Sequence, residues 1–349
     1  MAFYRMPGTD DIQVIAQKQQ KVTKVELTSK LSTKKGFLFA PFKQDKTFSS
    51  LLILPDIFTT AVKLPALNFA ENKSEHSEYK KVKLKQASKK QYVAYVKNIK
   101  QHIKKGDFKK VVAARVIKNT KGPKFNGLSF FKNLCKKYPT AFVSLVYTPE
   151  YGLWIGATPE ILLSVQGKNF KTYSLAGTKA NTTKNADVAW GAKELDEQKI
   201  VSGYIQSAFK KVTKTAPVIK GPETIEAGNL LHLRTTFTYR NIPASKWPQM
   251  VAKLHPTPAV SGLPKQQSIA FIQNNEITAR GFYSGYLGPV NLQKEINLFV
   301  NLRCMQVLKN KLAVHVGCGI TSKSNHEDEW KESEMKAETL LSVLNLKKP

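Results

Sequence analysis

Cysteine is nearly absent from this chain, and its three cysteines, Cys135, Cys304 and Cys318, are odd in number and widely spaced. That argues against a disulfide framework and against a Cys-x-x-Cys metal site, and it suits a reducing cytosol. Long apolar runs are missing too. No stretch of about 18 apolar residues occurs, so no transmembrane helix is expected. The opening residues 1–13 have no basic segment followed by an apolar run, so a secretory signal is not expected and the cytoplasm is. There is no internal repeat, no low-complexity linker and no regular βαβα alternation, which argues against a doubly wound sheet. Acidic residues number 25 against 55 basic ones, a formal charge of +30. A surplus of that size first suggests a nucleic-acid partner. Arginine is scarce, however: only Arg5, Arg115, Arg234, Arg240, Arg280 and Arg303 occur, and the remaining basic residues are lysines scattered along the chain. Nucleic-acid surfaces favour the planar guanidinium fork, so diffuse lysine reads as a solvated face, and no nucleic-acid partner is expected.

What is there is a core-forming composition, 42% apolar over 349 residues. Residues 1–85 alternate short apolar runs, such as 37–41 and 51–55, with turn signals, and read as strands. Residues 72–90 are polar and charged and read as a surface loop or the opening of a helix. Gln91–Lys105 spaces Tyr92, Val93, Tyr95, Val96 and Ile99 as an amphipathic helix. Strands are predicted over 111–117, 170–175, 232–239, 285–290, 295–308 and 312–316, with 141–147 and 152–155 as a hairpin. Helices are predicted over 186–211 and 325–346. The expected fold class is α+β, with antiparallel sheets and helices outside them.

The last helix carries two stripes at 100° per residue. Trp330, Ala337, Leu341 and Leu344 form the predicted core face. Glu329, Glu332 and Lys336 project together on the other. Ser324 and Glu327 have capping-box spacing. A charged stripe is ordinarily a solvated surface. Here it follows Gly317-Cys318-Gly319, a loop where bare backbone can approach an anion, and paired carboxylates beside such a loop suit Mg²⁺.

At these residues the chain resembles a known family. Val316-Gly-Cys-Gly-Ile320, with Glu329, Glu332 and Lys336, is similar to the closing motif of the chorismate-utilising enzymes. That group includes isochorismate, salicylate, anthranilate and aminodeoxychorismate synthases. Six further blocks follow the family order: Lys110–Arg115, Gly156–Ile161, Leu175–Thr178, His255–Gly262, Glu276–Gly285 and Asn301–Cys304. They span about 110–340. Residues 1–105 carry little of the resemblance beyond Phe3–Pro7 and are read as part of the same single catalytic domain, 1–349. The resemblance implies two stacked antiparallel β-sheets surrounded by helices, with the site in a cleft.

Roles follow from the resemblance, residue by residue. Lys110 matches the general base of the water-using members and Glu160 the general acid for the leaving hydroxyl. Arg303, Lys336, Tyr283, Gly177, Gly317, Gly319 and His255 match substrate-binding positions. Glu197 and Glu332 match the magnesium glutamates, with Glu329 beside them and Glu194 as a competing ligand. At 198, where many relatives carry His or Asn, this chain has Gln198. Ala176 stands where aminodeoxychorismate synthases typically carry a nucleophilic lysine. Anthranilate synthases use ammonia and lack the lysine at 110. The resemblance therefore implies an isochorismate synthase with Mg²⁺ as cofactor and chorismate as substrate, leaning to the menaquinone branch over the siderophore branch. Salicylate synthase, which adds a pyruvate-lyase step, is the alternative reading, and a polyanion-binding protein is the alternative from another class. A monomer is expected, with no membrane partner.

Overall fold

The computed structural model describes residues 1–19, 21–61, 84–181, 188–227 and 230–344. Six short strands open the chain: β1 (Ala2–Arg5), β2 (Ile12–Ala16), β3 (Thr23–Val25), β4 (Gly36–Ala40), β5 (Ser50–Ile53) and β6 (Ile57–Ala61). Helix α1 (Lys89–Lys104), β7 (Lys110–Thr120), α2 (Gly127–Lys137), β8 (Phe142–Thr148), β9 (Gly152–Thr158), β10 (Ile161–Gln166) and β11 (Asn169–Ala180) follow. Next come α3 (Ala192–Lys210), β12 (Val218–Ala227), β13 (Leu230–Tyr239), α4 (Trp247–Leu254), β14 (Gly262–Leu263) and α5 (Lys265–Asn275). The chain closes with β15 (Tyr286–Leu292), β16 (Glu295–Val300), β17 (Cys304–Val307), β18 (Lys311–Ile320) and α6 (His326–Leu344).

Two nine-stranded sheets result, ordered β14-β7-β18-β17-β9-β8-β1-β2-β6 and β12-β13-β11-β10-β16-β15-β4-β5-β3. All strand pairs are antiparallel, as the sequence predicts. Below, the sheet holding β7 is the first and the sheet holding β11 the second. Aromatic and branched side chains from the inner faces meet between them. Phe142 of β8 stacks on Phe299 of β16 with centroids 4.1 Å apart, and Phe37, Phe39, Leu51 and Ile53 fill the same layer. Helices α3 and α4 cover the outer face of the second sheet through Val201, Ile205, Phe209, Trp247 and Met250. Helices α2 and α6 cover the first through Phe131, Leu134, Ala337, Leu340 and Val343, and α1 packs beside them through Tyr92, Val96 and Ile99. No described helix is long and apolar enough to cross a membrane.

Four sequence expectations are corrected. Gly317-Cys318-Gly319, expected as a loop, lies within β18 and pairs with β7. The predicted strand 295–308 is two strands in different sheets. β16 ends at Val300, and the chain crosses through residues 301–303 to β17 of the first sheet. Arg303 thus lies in a link with φ of +48°, not within a strand. The predicted core face of α6 is rotated. Leu340 and Val343 are buried with Ala337, while Trp330, Leu341 and Leu344 are partly exposed. The rotation follows from Glu329, which is fully buried and draws its face inward. The capping box at Ser324 is not made. Asn325 Oδ1 accepts instead from the backbone N–H of Glu327 at 2.9 Å, and Ser324 Oγ accepts from Thr321 N–H.

Helix α1 is better bounded than its periodicity alone implied. Ser88 Oγ accepts from Gln91 N–H, and Gln91 Oε1 accepts from Ser88 N–H. Helix α3 begins at Ala192, and the predicted start at 186 lies outside the described residues, as do residues 72–83 of the expected loop.

Candidate active site

Two crossovers between the sheets build one wall of the site. β9 and β17 are paired in the first sheet, and β10 and β16 are paired in the second. The link from β9 to β10 and the link from β16 to β17 therefore run side by side. Their backbones bond directly: Val300 N–H donates to Glu160 C=O at 2.9 Å, and Ala157 N–H donates to Arg303 C=O at 3.0 Å. Glu160 and Arg303, 143 positions apart in number, stand on one seam for that reason.

The other walls come from β11, β13, β18, α3 and α6, around a cavity of about 690 Å³ counted with the solvent space it opens onto. Glu160, Gly177, Glu197, Tyr283, Arg303, Gly317, Gly319, Glu332 and Lys336 line it, all named from sequence. Lys110 lies just behind Gly319, fully buried, and its Nζ is 2.7 Å from Glu197 Oε1. Lys109 precedes β7 and is exposed, so Lys110 is the one of the pair turned inward. Glu329 is buried behind Glu332. Glu194 is not among the lining residues and lies instead against Gly177 and Gly191, at the start of α3.

His255 is the exception. It is not among the cavity residues: its Nε2 lies 3.0 Å from the Phe42 carbonyl and its ring packs edge-on to Tyr286. The imidazoles in the lining are His232 of β13 and His315 of β18, and sequence reasoning missed both. His232 interrupts the apolar run 230–233, and that interruption was the available signal. Its ring orientation is fixed by its neighbours. The Arg303 guanidinium can only donate, so His232 Nε2, 3.1 Å from Arg303 Nη2, accepts. Nδ1 then carries the hydrogen and donates to Gly177 C=O at 2.6 Å. Burial, reinforced by the Arg303 charge, lowers its pKa to about 3, so the ring is neutral.

Charge is distributed unevenly around the cavity. Burial raises the Glu160 carboxyl to about 8 although Lys110, Lys336 and Arg303 all pull it down, so it is protonated at neutral pH. Burial also works against the charge on Glu332, but Lys336 and Lys193 outweigh it and hold Glu332 at about 2. Lys336 Nζ lies 2.6 Å from Glu332 and donates to Gly317 C=O at 3.1 Å. Burial, with the Glu332 charge, raises Glu329 to about 7. Arg303 donates to Thr339 Oγ1 at 2.9 Å and to His232, and among the described residues no carboxylate pairs with it. A half-buried guanidinium without a carboxylate partner, facing the cavity, stands ready for an anion.

Two glycines are required by close approach. A Cβ at Gly319 would lie 2.2 Å from Glu197 Oε1 and 2.7 Å from Lys110 Cε. One at Gly317 would lie 2.8 Å from the Tyr283 hydroxyl. Gly319→Ala is therefore expected to push apart the Lys110–Glu197 pair. Any turnover at this site should fall by about tenfold or more, with the fold retained by circular dichroism. Wild-type turnover in that variant would mean the pair has no part in the chemistry.

The donor set fits a hard divalent cation. Glu197 and Glu332 face one cavity, and carboxylate oxygens of Glu329 and Glu332 lie within 4.8 Å of one another, with the Cys318 thiol beside them. Mg²⁺ takes few protein oxygens and keeps its waters, which matches two or three carboxylates on an open cavity.

The chain is similar to known proteins. The profile of the family described as chorismate binding enzyme matches residues 11–345. Isochorismate synthase EntC of Escherichia coli (strain K12) is 27% identical over 244 residues, which is 68% of this chain and 62% of that protein. Isochorismate synthase DhbC of Bacillus subtilis (strain 168) is 28% identical over 200 residues, 55% of this chain and 50% of that protein. The matched region thus spans from half to just over three fifths of these two relatives. The structure of MenF, the menaquinone-specific isochorismate synthase from Escherichia coli, superposes with a TM-score of 0.77 at 18% identity. It covers 98% of this chain and 88% of that one, and shows the same fold.

Proposed function

The chain belongs to the chorismate-binding enzymes, and from that premise we propose that it is an isochorismate synthase, one catalytic domain that uses magnesium and turns chorismate into isochorismate. The observation that carries the reading is a buried carboxyl, Glu160, lining the same cavity as Glu197, which pairs with the buried amine of Lys110 at 2.7 Å.

The substrate is a dianion. The Arg303 fork, set in its plane by His232 and Thr339, takes one carboxylate, with Lys336 and the Tyr283 hydroxyl at the same end. Glu197 and Glu332, with Glu329 beside them, would hold a magnesium ion, which would supply positive charge against the other carboxylate. Lys110 takes a proton from water as the water oxygen bonds to C2. The ring double bonds shift, the C4–O bond breaks, and Glu160 gives its proton to the departing hydroxyl. One water is consumed and one released, so the product is an isomer of the substrate. Ala176 offers no nucleophile for a covalent alternative.

The test is incubation of the purified protein with chorismate, with and without Mg²⁺, and chromatographic separation of the products. Magnesium-dependent isochorismate without pyruvate is expected. Salicylate with equimolar pyruvate would move the protein to the lyase reading, and intact chorismate would overturn both.

A further inference from the structure

One charged side chain at the site has no part in the mechanism above. Lys193 stands in the first turn of α3, four residues before Glu197 and on the same helix face. Its Nζ reaches across to α6, 2.6 Å from Glu329 Oε1 and 3.5 Å from Glu332 Oε2. Lys336 touches Glu332 alone, so among the described residues Lys193 is the one cation bridging the two glutamates. The side chain is partly exposed, about a fifth of its surface, whereas the Glu329 side chain is almost wholly buried. Two carboxylates packed this closely out of water repel each other unless a cation lies between them. The residues that hold the ammonium are those assigned above to the metal.

We infer that Lys193 is an internal counter-ion for the metal site: its ammonium occupies the space between Glu329 and Glu332 before magnesium binds and swings out toward solvent as the divalent ion takes its place. This rests on the magnesium reading. Glu329 and Glu332 stay close together without metal, and the ion displaces a charge already in place, which weakens its apparent affinity. The partial exposure of Lys193 gives the long flexible stem a route outward.

Calorimetric titration of the full chain with Mg²⁺ alone, without chorismate, tests this. Lys193→Met keeps the length and removes the charge. Its Mg²⁺ dissociation constant should fall by about tenfold or more. With a chelator present, the variant should melt below wild type, and Mg²⁺ should restore it. Lys193→Arg keeps a cation and should bind Mg²⁺ as wild type does. Lys199→Met, an exposed change on the same helix, should alter neither readout. If Lys193→Met is poorly folded, Lys193→Gln carries the test with the same expected direction. Unchanged or weaker Mg²⁺ binding by the charge-free variant would overturn the inference and leave the magnesium reading standing. Absence of Mg²⁺ binding in wild type and variant alike would overturn both.

Discussion

Glu160→Gln is expected to lower chorismate turnover by about 10²- to 10⁴-fold, the usual weight of a general acid, while chorismate still binds. The amide keeps the shape and hydrogen-bonding capacity of the acid but has no proton to give. The neutral form of Glu160 is the one the fold maintains, so substrate contacts made to a neutral group survive the change. The pH dependence follows in sign. Burial places the carboxyl at about 8, so the acid is present below that pH and is lost as pH rises through it. Wild-type kcat/KM should therefore decline on the alkaline side of about pH 8. The residual rate of Glu160→Gln should lack that decline. Turnover near the wild-type level would remove Glu160 from the role of acid.

Lys110→Gln is the second change of large effect, and it acts on two quantities at once. The lysine is fully buried and its amine faces Glu197 at 2.7 Å. Its removal takes away the base, so isochorismate formation should drop by about 10³-fold. It also leaves a buried carboxylate without its cation, which typically costs about 3–5 kcal/mol. Stability and chemistry separate in the double variant. Lys110→Gln with Glu197→Gln removes the orphaned charge and should recover most of the lost melting temperature while remaining inactive. If the double variant regained activity along with stability, Lys110 would be structural and the base would lie elsewhere.

Much of the architecture was legible because its signals are local. Motif blocks named eight of the cavity residues, the position of Glu197 on its predicted helix named a ninth, and motif register chose Lys110 over Lys109. What escaped depends on which sheet a strand joins, and no short window records that. Residues 295–308 read as one strand because both halves are apolar and β-forming, yet the halves belong to different sheets. The histidine was placed by motif at 255, while the cavity takes 232, brought in by the pairing of β13 with β11. The buried face of α6 was turned because an apolar count ranks glutamate as solvated, and here Glu329 lies inside with Lys193 for company. Lys193 itself had no distinguishing signal among 49 lysines in the sequence, and only its reach across to another helix marks it.

The paired crossovers have a mechanical consequence. Glu160 and Arg303 ride on links that are bonded to one another, so the acid and the anion fork keep a constant spacing, like two teeth on one gear. Lys110 and Glu332 ride on other parts, β7 and α6. Any breathing of the molecule that alters the active geometry must then change the gap between these two sets rather than the gap within the first. A core substitution between the sheets, remote from the cavity, would register as a mistimed proton delivery between base and acid before it registered as a loss of substrate grip.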